Sequence, residues 1–153
     1  MRKNCKRVLV VTSGGGHWVQ LRRLMPSFEG CDLALATVHA DYAVDAPPGA
    51  RFHCIRDATR WDRLGLVVLA FQLLWLVLSE RPGIVLSTGA APGYLALRIG
   101  KLFGAKTIWI DSIANVEEIS LSGKRIGPHA DVWLTQWEHL AKPNGPQYIG
   151  AVL

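Results

Sequence analysis

The chain has 153 residues, half of them hydrophobic and 19% charged, which is enough apolar side chain to bury the core of one domain and too much to leave it disordered. Seventeen Lys and Arg against twelve Asp and Glu give a net charge of +5, a balance that favours anionic partners such as phosphates or acidic lipid surfaces. Nucleic acid is set aside, because the aromatic residues do not interleave with the basic ones.

In chain order, residues 6–12 (KRVLVVT) form a β-branched run closed by Ser13-Gly14-Gly15-Gly16, the pattern of a buried strand feeding a tight loop. The apolar stretch at 8–11 is too short for a signal peptide, so export is not expected. From His17 to about Phe28, Trp18, Leu21, Leu24 and Met25 recur at helical spacing. Residues 31–37 are the next strand, 39–50 a loop with Pro47-Pro48-Gly49, and 51–55 a short third strand. Cys5, Cys31 and Cys54 lack metal-type pairing and are expected to be buried, reduced thiols of a cytosolic protein. Residues 64–78 (LGLVVLAFQLLWLVL) are uncharged throughout but shorter than the roughly 20 residues of a simple membrane span. Two readings remain: a helix buried all round, or one whose outer face rests in the membrane interface.

Residues 83–88 make a further strand, followed by Gly89-Ala90-Ala91-Pro92-Gly93 and a helix to about Phe103, with Pro92 suited to its first turn. Residues 105–110 form a strand, 111–122 a polar connection with one helical turn, 124–130 a short basic segment, 131–136 a strand and 147–149 a last extended stretch. Strands alternating with helices predict a Rossmann-like α/β fold, a parallel sheet with helices on both faces, in one domain over residues 1–153.

Such sheets bind ligands at the carboxyl ends of their strands, and three unusual loops fall there. Gly14, Gly15 and Gly16 permit close backbone approach at a helix start, which suits a phosphate or diphosphate. The dinucleotide fingerprint is incomplete, since its third position falls on Val19, and the Walker lysine pattern is absent. Ser87, Thr88, Gly89 and Gly93 repeat the strand, small-residue loop and helix start. Asp111, with Ser112 and Asn115 after it, would act as a general base, orient a sugar hydroxyl, or cap a helix. His17 would be a base, a phosphate donor, or a cap of its own turn.

The succession TSGGGH, RPGIVLSTGAAPG, KLFGAKTIWIDS, LSGKRIGPHADVWLTQW and QYIGAVL resembles the Alg14-like oligosaccharide biosynthesis family. That family includes the membrane-anchoring half of a split N-acetylglucosaminyltransferase and PssD-like bacterial relatives. It is similar to the N-terminal half of GT-B glycosyltransferases, including MurG. The resemblance implies a membrane-associated subunit of an inverting, metal-independent glycosyltransferase at the cytoplasmic face of the membrane, acting in polysaccharide (exopolysaccharide) synthesis and inactive alone. The chain would take a polyprenyl-diphosphate saccharide as acceptor, and a donor-binding partner subunit would hold most of the UDP-sugar site, with no cofactor. Eukaryotic members begin with a transmembrane helix that this sequence does not show, so anchoring would fall to the apolar helix. The expected roles are Asp111 as the base or sugar-orienting group, and His17 with Gly14, Gly15, Gly16, Ser87, Thr88, Gly89 and Gly93 at the acceptor diphosphate. Ser112 and Asn115 would lie at the acceptor sugar, and Leu66, Leu69, Leu73, Trp75 and Leu76 at the membrane.

Overall fold

A computed structural model describes residues 5–152. Seven strands, β1 (Arg7–Val11), β2 (Asp32–Thr37), β3 (Arg51–Cys54), β4 (Ile84–Ser87), β5 (Lys106–Ile110), β6 (Val132–Thr135) and β7 (Gln147–Tyr148), form one sheet in the order β3-β2-β1-β4-β5-β6-β7. Every pairing is parallel. The helices are α1 (Gly16–Leu24), α2 (Arg63–Glu80), α3 (Ala90–Leu102) and the short α4 (Leu121–Ile126). The predicted fold class is therefore present. Alternation along β1 divides the core: Leu9 and Val11 pack with α2 and α3, whereas Val8 and Val10 pack with Trp18 and Leu21 of α1.

One stretch read as irregular carries structure, and the helical turn expected in the polar connection falls at its end. The 39–50 segment holds a 3-10 helix, Ala40–Asp45, whose Tyr42 stacks on Trp18 at 4.8 Å and whose Asp45 accepts from the Trp18 indole at 3.2 Å. Within the polar connection, Ser120 accepts from the Gly123 amide and starts α4. Ahead of β6, Asp131 accepts from the Lys101 ammonium at 3.0 Å and the Thr107 amide at 2.8 Å. These bonds, the Lys101 one foremost, hold its carboxyl below the usual carboxylate range and join α3, β5 and β6.

Helix α2 corrects the expected membrane face. Asp62 caps it by accepting from the Gly65 amide at 2.8 Å, and at its far end Glu80 accepts from Arg51 and pairs with His53 of β3. Leu69 and Leu73 are 0% exposed and Leu76 2%, all within the core beside Leu9 and Val85, and Leu66 packs half-buried against them. These residues share a helix face, but it is the inner one. Of the five expected membrane contacts only Trp75 is exposed. The outer stripe comprises Leu64, Val67, Val68, Phe71, Trp75 and Leu78. The helix carries apolar residues on every side, and Gln72 in its middle is itself half-buried and accepts from the Arg56 amide, so polarity did not mark which face turns outward. The cysteines are free, but their expected burial fails: Cys5 and Cys54 are exposed and Cys31 is half-buried, because Cys5 precedes the sheet and Cys54 ends an edge strand.

Candidate functional site

The chain order reverses between β1 and β4, which lie side by side with connections running in opposite directions. At such a switch point the loops leaving the two strands diverge and open a crevice. Here the loops are residues 12–15 after β1 and 88–89 after β4, and they are joined by a buried chain of hydroxyls. Thr12 Oγ1 bonds Thr88 Oγ1 at 2.8 Å, and Thr88 Oγ1 donates to the His17 carbonyl at 2.9 Å. His17 Nδ1 lies 3.0 Å from the Thr88 carbonyl oxygen. A carbonyl only accepts, so Nδ1 carries the proton, and the lone pair of the corresponding neutral tautomer is at Nε2. Nε2 has no partner among the described residues and is not a buried atom.

The glycines have distinct reasons. A Cβ at Gly89 would enter the His17 imidazole, and one at Gly93 would enter the Ser87 side chain, so both admit close packing of loop and helix. Gly15 has φ 63°, a left-handed conformation that favours glycine, and its amide donates to the Tyr42 hydroxyl at 3.2 Å. A Cβ at Gly14 would stand 2.5 Å from the His39 ring. Ala90, with φ 67°, carries the same strain without glycine's freedom, at a cost on the order of 1 kcal/mol. These loops border an open cleft of about 470 Å³, lined by Ser13, Gly14, His39, Arg60, Ala90 and Ala91 among others. The opening amides of α1 and α3 lack partners within their helices and add positive potential at that edge.

Several expected site residues point elsewhere. Ser87 and Thr88 are fully buried. Ser87 Oγ is engaged with Gly89, and the Thr88 hydroxyl with Thr12 and His17, so neither hydroxyl is available to a diphosphate. Gly89 and Gly93 are buried as well and serve as spacers. Ser112 and Asn115 are half-buried; the Ser112 hydroxyl accepts from the Ala114 amide, and Asn115 donates to Asp111. His39, Arg60 and Tyr42 were not expected, since none belongs to a glycine-rich or acidic motif.

Asp111 departs furthest from expectation. It is 1% exposed, and its carboxylate receives Trp109 Nε1, Asn115 Nδ2, the Ser120 amide and the Ser120 hydroxyl. Its carbonyl accepts from Gln136 at 3.0 Å and Gln20 at 3.4 Å. A general base needs a lone pair aimed at substrate, and both carboxylate oxygens here are satisfied within the chain. Asp111 is a positioning residue that ties the 111–120 connection to α1 and α4. Asp111→Asn is expected to lose about 1–3 kcal/mol in urea unfolding, because an amide group would oppose buried donors, while the folded variant in an assembled enzyme retains kcat within a few-fold. Wild-type stability with a hundredfold lower kcat would restore the role of base.

A sequence model described as "Oligosaccharide biosynthesis protein Alg14 like" matches residues 64–152. The UDP-N-acetylglucosamine transferase subunit alg14 of Schizosaccharomyces pombe is 25% identical, covering 96% of this chain and 83% of its own length. The mouse subunit ALG14 is 28% identical with the same coverages. Among solved structures, Acinetobacter baumannii MurG superposes with a TM-score of 0.74 at 9% identity, over 93% of this chain and 45% of that one. A glycosyltransferase from Rickettsia africae gives 0.66 at 12% identity, over 97% and 43%. The chain thus spans less than half of either structure, and the two share its fold.

Proposed function

From the premise that the chain belongs to the Alg14-like family of oligosaccharide biosynthesis proteins, we propose that it is the acceptor-side subunit of a two-component glycosyltransferase. Acting as one domain at the cytoplasmic face of a membrane, it would present a polyprenyl-diphosphate-linked saccharide to a UDP-sugar held mainly by a partner subunit. The product would serve polysaccharide synthesis. The names of the curated relatives, each a UDP-N-acetylglucosamine transferase subunit, support the division, because a subunit implies a further component.

The observation that carries the reading is the 3.0 Å contact between His17 Nδ1 and the Thr88 carbonyl oxygen. With Nδ1–H donated to the Thr88 carbonyl, Nε2 accepts the proton of the acceptor hydroxyl as that oxygen attacks the anomeric carbon of the donor sugar. The new C–O bond forms on the face opposite the departing UDP, so configuration inverts. The bond to the diphosphate oxygen breaks with its electron pair, and the proton ends on Nε2. An imidazolium at the start of α1 is disfavoured by the helix dipole, and the Thr88 carbonyl together with the bound diphosphate offsets that cost. Gly14 and Gly16, with the opening amides of α1 and α3, would receive the acceptor diphosphate. The reading invokes no metal and no cofactor.

The test is reconstitution with the donor-binding partner, using several UDP-sugars and a short-chain lipid-diphosphate acceptor. Transfer is expected only from the pair. Transfer by this chain alone, or sub-micromolar binding of a UDP-sugar to it, would overturn the division of labour.

A further inference from the structure

Resting on the acceptor-side reading, we propose that Arg60 grips the diphosphate of a lipid-diphosphate ligand at the point where the cleft meets the apolar face of α2. The connection between β3 and α2 is held by Ile55 and Ala58, both buried in the core, and by the Arg56 amide, which donates to Gln72 at 2.9 Å. Two of its other charges have local tasks. Arg56 pairs with Asp62 at 3.7 Å, and Asp62 caps α2. Arg60 has no ion-pair partner among the described residues, and it lines the cleft across from Gly14 and Ala90.

Two further observations place Arg60 at a boundary. Its guanidinium lies 4.7 Å from the centre of the Trp61 ring, and Trp61 is 79% exposed, followed by Leu64 at 76% in the first turn of α2. One side of this short segment thus belongs to the polar cleft and the other continues the apolar stripe. A lipid diphosphate has the same division, with charge at headgroup depth and its tail in hydrocarbon. Backbone amides supply only partial charges, and no lysine lines the cleft; of the other titratable groups there, His39 is neutral or cationic and Asp57 is repulsive. A planar guanidinium stacked on an indole is preorganised to bind phosphate through two parallel N–H bonds.

The experiment titrates the full chain with geranyl diphosphate and, separately, with inorganic pyrophosphate. Arg60→Gln is expected to weaken geranyl diphosphate by about 10- to 100-fold and to flatten the salt dependence, with Arg60→Lys recovering part of the loss. Wild type should bind geranyl diphosphate more tightly than pyrophosphate, and Trp61→Ala should erase that preference. Both side chains are exposed, so unfolding midpoints should not move. If Gly14→Ala abolishes binding while Arg60→Gln leaves it intact, the acceptor site stands and the role of Arg60 falls. If wild type binds neither ligand, the acceptor reading falls and takes this proposal with it. A loss confined to phosphatidylglycerol vesicles would make Arg60 a headgroup contact and overturn the assignment.

Discussion

His17→Ala is expected to lower kcat of the reconstituted enzyme by about 10²–10⁴-fold, the range that a positioned general base contributes, with a much smaller change in the KM for acceptor. The expectation follows from the bond between Nδ1 and the Thr88 carbonyl, which leaves the basic nitrogen free. His17→Asn separates chemistry from architecture, because its amide can still donate to that carbonyl while offering no basic nitrogen. The loss should therefore be as large for Asn as for Ala, and both proteins should remain folded. A variant with normal kcat and a raised KM would return His17 to the diphosphate-contact role that the sequence suggested, and normal kinetics throughout would reduce this chain to a scaffold for its partner.

The second large effect concerns α2. A triple replacement of Val67, Phe71 and Trp75 by Glu is expected to abolish co-sedimentation with anionic vesicles and leave the unfolding midpoint near that of wild type, since all three side chains are exposed. Burying such a stripe in lipid is worth several kcal/mol at about 25 cal/mol per Å², and three carboxylates reverse its sign near an acidic surface. Leu73→Ala should do the opposite. That side chain is fully buried, so its truncation is expected to cost about 2–5 kcal/mol of stability while vesicle binding of the folded protein persists. A triple variant that unfolds, or one that still sediments, would show that the outer stripe serves another purpose.

The sheet was legible because the central strands are short, largely apolar runs, as in VLVV, LALA and IVLS, several of them ending at small residues where a parallel strand must release its chain. The two glycine loops followed from the same punctuation. The orientation of α2 was not legible: Leu69 and Phe71 look alike as letters, and only packing against Leu9 and Val85 separates them. Nor could spacing reveal that the acidic residue after β5 would be enclosed, since its donors come from Trp109, two residues before it, and from Ser120, nine residues after it. Ser87 and Thr88 misled for a related reason. A hydroxyl beside a glycine loop can serve a ligand or the loop itself, and the neighbour that decides, Thr12 for Thr88, is 76 positions away.

The imidazole of His17 is carried by α1 but aimed by Thr88, the first residue after β4, through one bond from its ring and one to its carbonyl. Its direction is consequently fixed by the spacing of β1 and β4, whose ladder pairs Val8 with Ile84, Leu9 with Val85 and Val10 with Leu86. A parallel ladder is among the stiffest distances a protein can set. The side-chain entropy of orienting the ring is therefore lost once, during folding, and not again in each turnover. On the proposed division of labour, assembly with a donor-binding partner would need only to bring up the electrophile.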